Sequence, residues 1–119
     1  MLTMITYCLI WINKLTWKRK TQYLKNIADY LDNIHHVGSV HCDLHGGNIL
    51  LHNNYVGFEI ENEFQLSSPY ICDLGLSQSV NSRKSNSTIR GALPYIAPEV
   101  FHTRKFTQAS DVYSFGIID

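Results

Sequence analysis

The stretch His41-Cys42-Asp43-Leu44-His45-Gly46-Gly47-Asn48 gathers a carboxylate, an amide, two imidazoles and a thiol within one short run. The imidazoles and thiol of His41, Cys42 and His45 suit zinc, yet no second ligand pair at zinc-site spacing follows them. Asp43 and Asn48 taken alone are ordinary turn residues, because both side chains bond nearby backbone. Their oxygens are also hard donors, of the kind magnesium prefers. Company lifts them above the turn reading: Asp73-Leu74-Gly75, Ala97-Pro98-Glu99 and Asp111-Val112-Tyr113-Ser114-Phe115-Gly116 follow in that order.

These four motifs together resemble the middle of a eukaryotic protein kinase domain, the first matching the catalytic loop H-R-D-L-x-x-x-N with one change. The resemblance covers residues 17–119 and leaves residues 1–16 unplaced. It implies an α+β, mainly helical, protein-kinase-like fold, present as the first half of the C-terminal lobe with the N-terminal lobe absent. ATP and Mg2+ are then the expected ligands and a protein the expected substrate. By the same resemblance, Asp43 would accept or orient the proton of the substrate hydroxyl. Asn48 would coordinate magnesium, and Asp73, at the D-F-G aspartate, would hold a magnesium that bridges the phosphates. Leu50 would lie beneath the adenine ring. His41 would pack against Leu74, which replaces the usual phenylalanine. Asp111 would bond the backbone of the catalytic loop, and Glu99 would pair with an arginine beyond residue 119.

Several positions depart from that family pattern. Cys42 replaces the arginine that receives an activation-loop phosphate, and a thiol makes no bidentate charge-assisted pair. His45 stands where serine/threonine kinases place a lysine; it is expected to substitute as a cation only when protonated, an imidazole having an ordinary pKa of about 6.5. Ala92 replaces a threonine whose hydroxyl helps to orient the aspartate. The segment from Gly91 to Glu99, with the Asp111 motif, resembles the tyrosine-kinase-like group, most of whose members act on serine and threonine, with tyrosine the other acceptor. No G-x-G-x-x-G and no V-A-I-K-like lysine occurs in the 119 residues. Without them most electrostatic stabilisation of the transition state is lost, so the chain by itself is expected to have little or no kinase activity. Two other readings follow: a non-catalytic, pseudokinase-like binding module, and a small-molecule phosphotransferase. Asp43-Leu44-His45-Gly46-Gly47-Asn48 resembles the D-L-H-x-G-N loop of aminoglycoside and choline kinases, but those lack the Ala97-Pro98-Glu99 and Asp111 motifs.

The elements that must position these residues are partly legible. Leu24, Ile27, Ala28, Leu31 and Ile34 recur at helical spacing, which predicts an amphipathic helix over residues 17–36. Thr16 is its expected N-cap through the hydroxyl, Gly38 its terminator, and His35 and His36 suit the negative end of its dipole. Residues 48–51, 55–60 and 69–72 read as short strands, with a turn at Asn53-Asn54. Residues 77–87 are polar and aperiodic and read as a loop. One helix is expected from Pro98 and another from Ser110, with Ser110 as its cap.

Composition limits what else the chain does. Its length allows one domain, and 45% hydrophobic with 17% charged residues is the balance of a folded protein. Ten basic and ten acidic residues cancel, and no basic run points to nucleic acid. The apolar residues 1–12 fall short of the roughly 20 that a bilayer span needs, so no membrane span is expected, and packing against the domain is the favoured reading. Cys8, Cys42 and Cys72 form no paired spacing, which fits reduced thiols in a cytoplasmic or nuclear setting. The hydroxyls between Ser77 and Thr88 read as a solvated loop rather than as modification sites.

Overall fold

The computed structural model describes residues 16–51, 69–81 and 89–118. The turn at Asn53-Asn54, the strand expected over residues 55–60 and the apolar residues 1–12 lie outside them. Within them the chain is mostly helical, with two small sheets.

Helix α1 (Trp17–His36) buries Tyr23, Ile27 and Leu31, four residues apart and therefore stacked on one face. Thr16 is its N-cap, but the hydroxyl makes no capping bond. The amide of Arg19, which that hydroxyl would satisfy, is taken by the Thr16 carbonyl at 3.0 Å. At the other end the amides of Val37 and Gly38 close on the carbonyls of Asn33 and His35, and Gly38 turns the chain away at φ +78°.

Two antiparallel pairs follow. Strand β1 (Ser39–Val40) pairs with β4 (Gln78–Ser79), and β2 (Ile49–Leu51) pairs with β3 (Pro69–Ile71). The register sets Ile49 opposite Ile71 and Val40 opposite Gln78. Strand β4 lies inside the stretch expected to be loop. Two residues are too few for alternation to register, so only the partner strand defines it.

Helix α2 (Pro98–Thr103) opens on proline at its first turn and ends at Arg104, which takes the left-handed conformation at φ 58°. Helix α3 (Gln108–Ile118) begins earlier than expected. Thr107, not Ser110, precedes it, and the two residues cap each other. The Thr107 amide donates to Ser110 Oγ at 2.8 Å, and the Ser110 amide donates to Thr107 Oγ1 at 3.2 Å. This is the reciprocal logic of a capping box, with serine in place of the usual Glu or Gln.

The main core joins Ile27 and Leu31 of α1, Ile49 of β2, Ile71 of β3, Ile118 of α3 and Leu44 from the loop between β1 and β2. A second cluster of Ile96, Ala97 and Val100, with Ile89 and Phe106 against it, supports the start of α2. The loop from His41 to Asn48 is thus held by core residues within it and after it. Among the described residues no helix is long and apolar enough to cross a membrane.

Candidate active site

The loop between β1 and β2 is shaped by a carboxylate far away in sequence. Asp111, in the first turn of α3, is 1% exposed. Its Oδ2 accepts from the His41 amide at 2.7 Å and meets His35 Nε2 at 2.8 Å, while Oδ1 accepts from the Cys42 amide at 3.1 Å. Cys42 sits at φ 70°, a left-handed conformation that costs a non-glycine residue about 1–2 kcal/mol. The two amide bonds to Asp111 hold it there. His35, read from sequence only as a helix-dipole partner, is therefore part of the loop's support. Seventy-six positions separate it from Asp111, and no local pattern announces the contact.

His41 is wholly buried, and both its ring nitrogens are used. Nδ1 accepts from the Asp43 amide at 3.1 Å, so the proton resides on Nε2, which donates to the Cys72 carbonyl at 3.0 Å. Leu74, expected to pack against His41, is 55% exposed, and two hydrogen bonds hold the imidazole.

Asn48 ends the 3₁₀ turn Gly46–Asn48 and ties the loop to the next strand. Its Nδ2 donates to the Asp43 carbonyl at 2.7 Å and to Asp43 Oδ2 at 3.3 Å, and its own carbonyl accepts from the Cys72 amide at 2.8 Å. Asp73 is the next residue along. Asp43 is thus bonded to Asn48 where β2 starts, and Asp73 directly follows the residue that pairs with Asn48 at the end of β3. Asp73 adopts φ 58°, lies exposed, and accepts from the Gly75 amide through Oδ1 at 3.2 Å.

His45 is half-buried beside them. Its Nδ1 accepts from the Gly47 amide at 3.1 Å, its Nε2 lies 3.6 Å from Asp43 Oδ1, and its ring centroid is 6.0 Å from that of Tyr95. From the other side comes Gly91 at φ +135°, where an added Cβ would stand 3.5 Å from Asp43 Oδ1. The segment before α2 is fastened by Ser114 Oγ, which donates to the Tyr95 carbonyl at 2.6 Å. Leu50 is buried on β2 opposite Tyr70. Glu99 is exposed in the first turn of α2, and among the described residues it forms no ion pair.

Burial, helped by the neighbouring Asp111 charge, pushes the Cys42 thiol up to about 12. Burial and then the Asp73 charge raise the Cys72 thiol as well. Both cysteines are free. Among the described residues no cluster of three His, Cys, Asp or Glu is arranged to hold a metal ion. Asp43 bonds Asn48, Asp73 follows the residue paired with the Asn48 backbone, and the side-chain Oδ1 of Asn48 lies outside the bonds that its Nδ2 makes. Such a donor set fits magnesium, which takes one or two carboxylates and completes its shell with phosphates and water.

Comparison with known proteins identifies the family. The family model for the protein kinase domain matches residues 8–118. A probable leucine-rich repeat receptor-like protein kinase of Arabidopsis thaliana is 35% identical over 109 residues, which is 88% of this chain and 9% of that protein. A probable serine/threonine-protein kinase of Dictyostelium discoideum is 32% identical over 105 residues, covering 87% of this chain and 10% of its own length. The serine/threonine-protein kinase dkf-2 of Caenorhabditis briggsae is 31% identical over 102 residues, 85% of this chain and 8% of its own. The chain spans about a tenth of the length of the curated relatives it matches. With the family model matched along nearly all its length, the chain belongs to the protein kinase domain family.

Proposed function

We propose that this chain is the catalytic-loop portion of a kinase C-terminal lobe, acting in phosphoryl transfer from ATP to serine or threonine hydroxyls of a protein substrate. The observation that carries the reading is the pair of hydrogen bonds from Asn48 Nδ2 to the Asp43 carbonyl and carboxylate, with Cys72, the residue before Asp73, held through the Asn48 backbone carbonyl. Asp43 has one carboxylate oxygen near Asn48 and the other near His45 and Gly91, so it stands between the donor cluster and the segment preceding α2. A substrate hydroxyl brought there would pass its proton to, or be aligned by, Asp43. Asn48 and Asp73 are the residues that would hold magnesium, which when bound neutralises phosphate charge. The serine/threonine preference is supported by the names of the Dictyostelium and Caenorhabditis relatives. Free Cys42 and Cys72 support a cytoplasmic setting.

Titration of the chain with magnesium-ATP, followed by amide NMR, tests this. Shifts at Asn48 and Asp73 that vanish in Asp73→Ala are expected, with little rise in melting temperature because affinity without a glycine-rich loop is weak. Perturbations confined to surfaces away from the two β-sheets would sink the reading.

A further inference from the structure

We infer that His45 is a positioning residue for the carboxylate of Asp43, locked by the Gly47 amide in the tautomer that carries its proton on Nε2. This rests on Asp43 being the residue that meets the substrate hydroxyl. It departs from the expectation that His45 substitutes for a phosphate-gripping lysine.

One donor beside the ring has no choice of role. A backbone amide only donates, and the Gly47 amide donates to His45 Nδ1 at 3.1 Å. Nδ1 is therefore the acceptor nitrogen, and the single ring proton of the neutral imidazole sits on Nε2. That nitrogen faces Asp43 Oδ1 at 3.6 Å, longer than a hydrogen bond. The other oxygen, Oδ2, is fixed by Asn48 Nδ2 at 3.3 Å. Asp43 thus has one oxygen bonded to Asn48 and the other facing His45 Nε2 across 3.6 Å.

The loop is also shaped to hold the ring. A Cβ at Gly47 would come within 2.9 Å of His45 Cε1 and 3.0 Å of Nδ1, so the imidazole occupies space that only glycine leaves. Tyr95 stands on the ring at a 49° tilt and is itself held by Ser114. A lysine at position 45 has no acceptor for the Gly47 amide, which would then turn to water. In the sequence Asp43-Leu44-His45-Gly46-Gly47-Asn48 the imidazole thus sits in space that a Cβ at the second glycine would crowd.

Long-range nitrogen–proton correlation on the histidine rings of the full chain tests the tautomer directly. Nδ1 of His45 is expected to give the signal of an unprotonated acceptor and Nε2 that of an N–H. A protonated Nδ1 at neutral pH overturns the proposal. Substitutions separate positioning from simple loop capping. His45→Ala should speed exchange of the Gly47 amide about tenfold, the effect of losing one hydrogen bond. His45→Asn, whose carbonyl falls near the place of Nδ1, should bring most of that protection back while the carboxyl carbon signal of Asp43 stays displaced. Recovery of the Asp43 signal in His45→Asn would reduce His45 to a cap and also overturn the proposal. None of these readouts needs nucleotide. Failure of magnesium-ATP to perturb Asn48 and Asp73 would remove the kinase reading and leave the tautomer result standing.

Discussion

Asp111 concentrates more of the site's architecture than any residue that would touch substrate. Three donors converge on its buried carboxylate, two of them amides of the loop and one the ring of His35. Asp111→Ala leaves all three without that acceptor, and urea unfolding should show a loss of about 3 kcal/mol or more, as breaking buried charged hydrogen bonds does. A loss below about 1 kcal/mol would mean that water replaces the carboxylate freely. Cys42 gives a second residue-scale prediction. Its folded-state thiol ionises only near 12, from an ordinary value of 9.0, so it stays neutral at physiological pH and reacts slowly with alkylating reagents until the chain unfolds. Because the folded pKa is raised, the unfolded chain loses this proton first as pH climbs. The contribution is whole below pH 9 and fades as pH rises toward 12, by at most about 1.4 kcal/mol per pH unit. Unfolding free energies of the unmodified chain and Cys42→Ala, compared across that window, should converge as pH increases.

Among the elements, α3 matters most to the loop although none of its residues belongs to it. Its first turn carries Asp111, and its start is fixed by the mutual capping of Thr107 and Ser110. Ser110→Ala removes the acceptor for the Thr107 amide and should cost about 1 kcal/mol. It should also speed amide exchange at His41 and Cys42, whose bonds depend on where α3 begins. Unchanged exchange at those two amides would show that the core alone holds α3. Helix α1 contributes from its far end, where the His35 carbonyl accepts from Gln108 Nε2 at 2.9 Å and the His35 ring meets Asp111. The ends of two helices thus clasp each other beneath the loop.

At the scale of the molecule, one core links the helices to the site. Ile49 is wholly buried and shares a cluster with Ile27, Leu31, Leu44, Ile71 and Ile118. Ile49→Ala opens a cavity beside Asn48 and should destabilise the chain by about 2–5 kcal/mol in denaturant unfolding. Because Ile49 directly follows Asn48, the same variant should blunt the magnesium-ATP shifts at Asn48. Intact shifts in a destabilised chain would separate the donor cluster from the core.

Local pattern alone determined α1, the β2 and β3 segments, the start of α2 and the four motifs, because helical periodicity, short apolar runs and proline act within a few residues. It also pointed to Asp43, Asn48 and Asp73, which lie in loops where a resemblance is carried by residue type and spacing. Only the tertiary structure decided what those residues touch. The bond from His35 to Asp111, the pairing that makes Gln78–Ser79 a strand, the exposure of Leu74 and the approach of Gly91 to Asp43 all join positions far apart in the chain. The His45 tautomer needed coordinates for a different reason. Its partner is two residues away, but a ring nitrogen's role as donor or acceptor depends on direction, and direction is a property of the folded loop.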